Sequence, residues 1–153
     1  MHLAQLNIAR LKYPIDDPRV ADFVDNLDRV NAIADRSDGF VWRLQDETGD
    51  ATSIRGFDDP AIIVNMSVWR DAASLEHFVW NTVHKQVYRK RAEWFEILGK
   101  QHFVMWEVEE GHLPTVEDAK ARLDHLDRHG DSDFAFGWSH LPHLKAWQQA
   151  RCA

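Results

Sequence analysis

Cysteine is nearly absent from this chain of 153 residues, and the one cysteine, Cys152, leaves no pair for an intrachain disulfide. Glycine is also scarce: the seven glycines are dispersed, which excludes a glycine-rich loop that cradles phosphate. No apolar run approaches the roughly 20 residues of a membrane-spanning helix. With no signal-peptide pattern at its start, the chain is expected to be cytoplasmic, with no membrane partner.

Positive charge is in short supply as well. Lysine and arginine together number 18 against 25 aspartates and glutamates, so the formal net charge is −7. The longest basic run is Arg89–Arg91, whereas a nucleic-acid surface needs a basic patch, and nucleic acid is therefore not an expected partner. The length predicts one domain, with residues 1–110 as its body and residues 111–153 as a C-terminal extension of helix and arm.

Tryptophan is the residue type that the chain has in excess, with seven copies. A tryptophan ring buries a large apolar area and brings one N–H group that needs a partner. Two interpretations stay open: these rings fill the core and a subunit interface, or they wall a pocket for a flat ligand.

Hydrophobic periodicity predicts a body of six elements in the order strand, helix, strand, strand, helix, strand. The predicted elements cover residues 3–11, 18–36, 40–44, 61–69, 74–98 and 101–108. Within 74–98, a break near residues 76–78 stays open, because Leu75 and Phe78 fall off the main apolar stripe. This order is that of a ferredoxin-like split βαβ, an α+β fold whose antiparallel sheet carries both helices on one face. In the extension, a helix is expected from about 115 to 129, and residues 134–138 form a further strand or an arm across a partner.

The third predicted strand suggests a second copy of the chain. Its period of two gives one entirely apolar face, made of Ile62, Val64, Met66 and Val68. If both helices cover the opposite face, this apolar face is bare and needs a cover. We therefore expect a homodimer packed through this face of the sheet.

Ionisable side chains interrupt the apolar stripe of the predicted long helix. His84 and Arg91 fall inside that stripe, with Tyr88 beside them, and an inward charge is costly unless it is paired. His84 suits a proton-transferring base or a heme ligand, or else hydrogen-bonds within the core. Arg91 suits an anionic or oxygenated ligand. Its structural alternative is an ion pair with one of three carboxylates: Asp22, Asp35 or Glu107.

Three asparagines form a second candidate set. Asn7 and Asn65 lie in predicted strands, and Asn31 lies in the apolar stripe of the first predicted helix. Their amides suit a substrate carbonyl or a developing enolate, the group that cofactor-free oxygenation of an electron-rich phenol must stabilise. The alternative is that each amide satisfies backbone groups where strand and helix meet.

Several motifs resemble an uncharacterised bacterial family. In chain order they are Leu3–Ala9, Asn31–Ala32, Gly39–Leu44, Asn65–Trp69, His84 with Arg91–Phe95, and Gly111–Glu117. That family is a domain of unknown function placed in the dimeric α+β barrel superfamily, beside the antibiotic-biosynthesis-type monooxygenases. The resemblance covers residues 1–138. It implies two ferredoxin-like subunits joined sheet to sheet, with a small-molecule cavity between helices and sheet in each.

The same resemblance implies two kinds of chemistry. The superfamily includes cofactor-free oxygenases of polyphenolic compounds, heme-degrading oxygenases and members without known activity. Similarity to the heme degraders places Asn7, Trp69 and either His77 or His84 at comparable positions. It thereby makes heme the alternative cofactor, with His84 as its ligand.

Three functional hypotheses follow. The first is a monooxygenase-type enzyme for an aromatic or polyketide-like molecule, with no cofactor assigned; the others are a heme-binding or heme-degrading protein and a non-catalytic binding module. In the first hypothesis the catalytic residues are His84, Arg91 and Asn65. The substrate-binding residues are Asn7, Asn31, Arg43, Trp69, Trp80 and Tyr88.

Overall fold

The computed structural model describes residues 1–45, 57, 59, 61–83, 90–98 and 101–141. Within these ranges the strands are β1 (His2–Leu11), β2 (Phe40–Arg43), β3 (Ile62–Trp69), β4 (Phe95–Glu96) and β5 (Phe103–Val108). The α-helices are α1 (Ala21–Arg36), α2 (Ala72–Phe78), α3 (Arg91–Trp94) and α4 (Val116–His129). The predicted α+β class is confirmed.

The five strands form one open antiparallel sheet. β1 is central: β3 pairs with one edge of it, and β2 continues the sheet beyond β3. The other edge of β1 is shared, because β5 pairs with residues 2–7 and β4 pairs with residues 10–11. The sequence β1, α1, β2, β3, α2, β5 is the predicted ferredoxin-like order, and β4 is an addition to it.

Local signals explain where α1 begins and why β2 follows it closely. Asp17 accepts a hydrogen bond from the backbone N–H of Arg19, and a 3₁₀ turn over Pro18–Val20 leads into α1. The side-chain and backbone hydrogen bonds from Arg19 lower the pKa of Asp17 to about 2. Gly39 then takes a φ of 86°, and a Cβ at this position would collide with Ser74.

The helix predicted over residues 74–98 does not reach residue 98, and its α-helical part ends at the break considered near residues 76–78. α2 ends at Phe78 and passes into a π-helical turn over Val79–Val83. Farther along, Phe95–Glu96 is a strand that pairs with Leu11 and Arg10. The apolar spacing there has another cause: Trp94 and Phe95 pack on Phe23, with ring centroids 5.6 and 5.0 Å away.

The apolar face of β3 is covered within a single copy of the chain. Four buried residues form this face, each 6% exposed or less: Ile62, Val64, Met66 and Val68. They share a core with α4 and with the residues of β1 and β5 that lie on the same face of the sheet. The inference of a bare face is therefore wrong. The sheet has α1 and α2 on one face and α4 on the other, because α4 folds back from the end of β5. The homodimer itself stays a prediction.

The segment after α4 also packs on its own chain. Met105 and Phe136 exchange two backbone hydrogen bonds of 2.8 and 3.0 Å, which attach this segment to β5. Arg122 of α4 donates to the Phe134 carbonyl over 2.8 Å. Residues 134–138 are therefore joined to the sheet of their own chain by a one-residue bridge, rather than as the full strand that was one alternative. The other alternative, an arm across a partner, stays a prediction.

No helix among the described residues has the length and apolar character to cross a membrane.

The packing of α4 gives the first prediction. Leu123 is buried against the sheet, so Leu123→Ala removes apolar contacts and leaves a cavity. We expect it to lower the free energy of unfolding by about 2 to 5 kcal/mol, measured by urea denaturation. Asp124→Ala, an exposed change on the same helix, is the control and is expected to change it by less than about 0.5 kcal/mol. Equal effects of the two changes would contradict this placement of α4.

Candidate functional site

A cavity of about 700 Å³ lies between the sheet and the helices α1 and α2. This volume falls in the range of small-molecule sites. The helices contribute an apolar wall, and the strands contribute a polar floor. The helix side is lined by Phe23, Leu27, Val30, Ala34, Leu75 and Phe78.

Strand register assembles the polar floor. Gln5 lies opposite Ser67, and Asn7 lies opposite Asn65, as successive same-face pairs of β1 and β3. Because side chains of a strand alternate between faces, residues two apart point the same way. The register therefore brings four uncharged polar side chains together beneath the helices.

Hydrogen bonds connect these side chains into what we term the strand network, made of Gln5, Asn7, Asn65, Ser67 and Trp69. Gln5 Nε2 donates to Asn65 Oδ1 over 3.0 Å and to Ser67 Oγ over 2.8 Å. Asn7 Nδ2 donates to Gln5 Oε1 over 3.4 Å, and Trp69 Nε1 donates to Ser67 Oγ over 2.9 Å. Gln5 is only 3% exposed, so these bonds compensate the cost of burying its amide.

The α1 wall carries one amide, that of Asn31. Asn31 is 8% exposed and lines the cavity, as its place in the apolar stripe predicted. Within the part of the chain that the structure describes, its side chain makes no hydrogen bond. An amide that faces the cavity from an otherwise apolar helix wall is a candidate ligand contact.

The two predicted arginines, Arg43 and Arg91, differ in how far their side chains are buried. Arg43 lines the cavity with a side chain 12% exposed, and its Nε and Nη2 bind the Asp35 carboxylate over 2.8 and 3.3 Å. Asp35, one of the carboxylates predicted for Arg91, thus neutralises Arg43. Arg91 is not the inward residue that the helical stripe predicted: it is exposed at the cavity rim, because α3 is one turn that passes into β4.

Aromatic rings close the cavity. Trp69 is fully buried and stacks on Phe78, with ring centroids 5.0 Å apart. Trp138, from the segment after α4, stacks on Phe103 at 5.5 Å and approaches Trp80 at 6.2 Å. Trp69 therefore belongs to the core and also lines the cavity, whereas the subunit interface and the flat ligand stay predictions.

The structure brings most of the predicted site residues together. Those that line the cavity are Asn7, Asn31, Arg43, Asn65, Trp69, Trp80 and, at the rim, Arg91. His84 and Tyr88 lie outside the described residues, so their roles stay predictions. His77, the alternative histidine, is exposed, and its Nδ1 lies 3.0 Å from Asn81 Nδ2.

Sequence reasoning overlooked two residues of the strand network, Gln5 and Ser67. A signal for both was present, because Gln5 is two residues from Asn7 and Ser67 is two residues from Asn65. Pairs of polar residues with this spacing on adjacent strands point to one polar patch on one face of the sheet.

The chain belongs to the family described as domain of unknown function DUF3291, which matches residues 2–152. No curated protein matches the chain.

Three solved structures are similar to this one. A conserved protein from Methanosarcina mazei Go1 is 11% identical with a TM-score of 0.53, over 71% of this chain and 94% of its own. A protein of unknown function from Nitrosomonas europaea is 15% identical with a TM-score of 0.50, over 74% and 95%. A candidate antibiotic biosynthesis monooxygenase from Chloroflexus aurantiacus J-10-fl is 16% identical with a TM-score of 0.45, over 73% and 97%. The first two share the fold of this chain.

The N-terminal cap of α2, a helix that lines the cavity, gives a prediction about stability. The Ser74 backbone N–H donates to Asp71 Oδ1 over 2.8 Å, and this bond is the main reason that the pKa of Asp71 lies below its ordinary value. Asp71→Ala removes this cap from the helix that carries Leu75 and Phe78. We expect it to lower the free energy of unfolding by about 1 kcal/mol at pH 7, with a smaller loss for Asp71→Asn.

The sign of the pH dependence follows from the lowered pKa of Asp71. The carboxylate contributes fully above its unfolded pKa, near 3.8, and the contribution disappears as the pH falls through the lower pKa of the folded state. Urea denaturation should therefore show a larger loss for Asp71→Ala at pH 7 than at pH 2.5. An equal loss at both pH values would contradict the charged cap.

Proposed function

We propose that this member of the DUF3291 family is a small-molecule enzyme of the monooxygenase type that binds a flat, oxygenated aromatic compound. The observation that carries the proposal is the strand network on the floor of an aromatic-walled cavity. The fold supports the place of binding, since the cavity lies between the sheet and the helices α1 and α2.

The walls favour a flat aromatic ligand. Trp80, Phe103 and Trp138 supply ring surfaces from three separate segments of the chain. Rings stack in offset or edge-to-face arrangements, which suits a planar ligand better than a branched aliphatic one. The apolar side chains of α1 and α2 complete the apolar lining that such a ligand needs.

The floor favours oxygen substituents without a full charge. Its donors and acceptors are amides, a hydroxyl and an indole N–H, and the Asp35 carboxylate already balances the cation at Arg43. Burial of a formal charge against neutral groups is costly, whereas a phenol or a carbonyl needs only hydrogen bonds. Fixed amide donors also stabilise negative charge that develops on such an oxygen during reaction.

The proposed reaction oxidises an electron-rich phenol with dioxygen. For 1-naphthol, one atom of O₂ becomes the new carbonyl oxygen at the ring carbon para to the hydroxyl. The other atom leaves as water with the hydroxyl hydrogen and the hydrogen of that ring carbon, and the product is 1,4-naphthoquinone. The substrate supplies all four electrons. In this proposal Asn65 holds the phenolic oxygen, His84 accepts its proton, and Arg91 acts at the rim.

The homodimer and the heme alternative rest on the resemblance. The described cavity lining comes from one copy of the chain, and sedimentation velocity measures the state of assembly. Heme binding depends on His84. An absorption shift of added hemin that His84→Ala abolishes would favour the heme alternative over the cofactor-free reaction.

Ligand binding tests the proposal through Asn31. We expect 1-naphthol to quench tryptophan fluorescence, and Asn31→Leu to weaken that binding about tenfold because one buried hydrogen bond is lost. Asn26→Leu is the matched control, since Asn26 lies on the same helix outside the cavity lining. Absence of 1-naphthol binding, or equal weakening by the two changes, contradicts the proposed site.

Turnover is tested separately with ¹⁸O₂. We expect 1-naphthol to give 1,4-naphthoquinone that carries one labelled oxygen atom, and Asn65→Leu to reduce the rate at least tenfold. Binding without quinone formation would leave the non-catalytic binding module as the correct hypothesis.

A further inference from the structure

We infer that the strand network fixes the direction of hydrogen bonding on the cavity floor, so that Ser67 can offer a ligand only a donor and Asn65 presents its Nδ2 donors. The bound compound is then recognised through an oxygen that accepts, such as a carbonyl or a phenolic oxygen on which negative charge develops. This inference rests on the proposed function, because it specifies which group of the ligand the same cavity selects.

The fixed point of the network is Trp69. An indole N–H donates and never accepts, so the 2.9 Å contact from Trp69 Nε1 occupies one lone pair of Ser67 Oγ. Trp69 cannot turn to release this contact, because its fully buried ring stacks on Phe78 and meets Phe40 edge-to-face at 5.5 Å.

The second lone pair of Ser67 is taken by Gln5. Gln5 Nε2 donates to Ser67 Oγ over 2.8 Å, and a serine hydroxyl has two lone pairs and one proton. With both lone pairs in use, the hydroxyl can only donate. In the described part of the chain it donates to no acceptor, and Ser67 lines the cavity.

The neighbours of Gln5 are arranged in the same direction. The same Nε2 donates to Asn65 Oδ1 over 3.0 Å, while Oε1 accepts from Asn7 Nδ2 over 3.4 Å. Asn65 therefore keeps its oxygen toward Gln5 and has its Nδ2 donors left for a ligand. If the Gln5 amide were reversed, its oxygen would accept a hydrogen bond from the Ser67 hydroxyl. Ser67 would then offer a ligand an acceptor instead of a donor.

Ser67 and Asn65 converge on the same part of the cavity floor. Ser67 Oγ and Asn65 Oδ1 both lie within 3.0 Å of the single atom Gln5 Nε2. At the other end of the network, Asn7 Oδ1 is an acceptor that suits a ligand hydroxyl. The arrangement selects a hydroxylated aromatic ketone or a phenol, and it stabilises that phenol more strongly once the proton is lost.

The test compares 9-fluorenone with fluorene, two planar compounds that differ by the carbonyl oxygen. In the wild-type protein we expect 9-fluorenone to bind about tenfold more tightly, measured by tryptophan fluorescence and calorimetry. Ser67→Ala should reduce this preference to twofold or less while fluorene affinity stays within twofold. Ser67→Thr retains the hydroxyl and should restore the preference.

Each outcome has one meaning. If neither compound binds the wild-type protein, the proposed function fails and this inference fails with it. If both bind wild type equally, the cavity stands but the donor assignment is overturned. If Ser67→Ala weakens both compounds equally, Ser67 has a structural role only, and the assignment is again overturned. Loss of the preference alone, with recovery in Ser67→Thr, supports it.

Discussion

The side-chain amide of Gln5 is buried on the face of the sheet that α1 and α2 cover, and it needs hydrogen-bond partners there. At 3% exposure it has almost no access to water, and an unpaired amide there is costly. The acceptors for its Nε2 come from the opposite strand, because the register places Ser67 and Asn65 within reach of this nitrogen. The polar floor of the cavity is therefore a consequence of how β1 and β3 pair.

The surrounding elements cover that floor and leave a cavity above it. Helices α1 and α2 cover the polar face without filling it, which leaves the cavity. Helix α4 buries the opposite, apolar face, and the segment after it returns to the cavity with Trp138. One copy of the chain thus supplies both the core and the walls of the candidate site.

Periodicity was sufficient for much of the fold and for part of the site. The period of two placed Asn65 and Trp69 on one face of β3, and the period of 3.6 placed Asn31 on the inner stripe of α1. Gln5 was overlooked because one polar residue in a strand looks like ordinary alternation. Its importance depends on a partner 62 residues away, and periodicity carries no information about register.

The errors have the same origin. The spacing of Trp94 and Phe95 fits a helix, but Phe95 pairs with Leu11 in the sheet, so a contact distant in sequence overrides the local pattern. Likewise, the inward residues of α4 predicted a helix without saying which surface it covers. The histidine of the proposed chemistry, His84, falls outside the described residues, and its role rests on the sequence.

The carbonyl stretch of bound 9-fluorenone, read by infrared difference spectroscopy with a ¹³C-labelled carbonyl, tests the central claim most directly. If Ser67 and Asn65 donate to the ligand oxygen, the band lies at lower frequency than in hexane and moves back toward the hexane value in Ser67→Ala. A band at the hexane frequency in the wild-type complex would contradict the account.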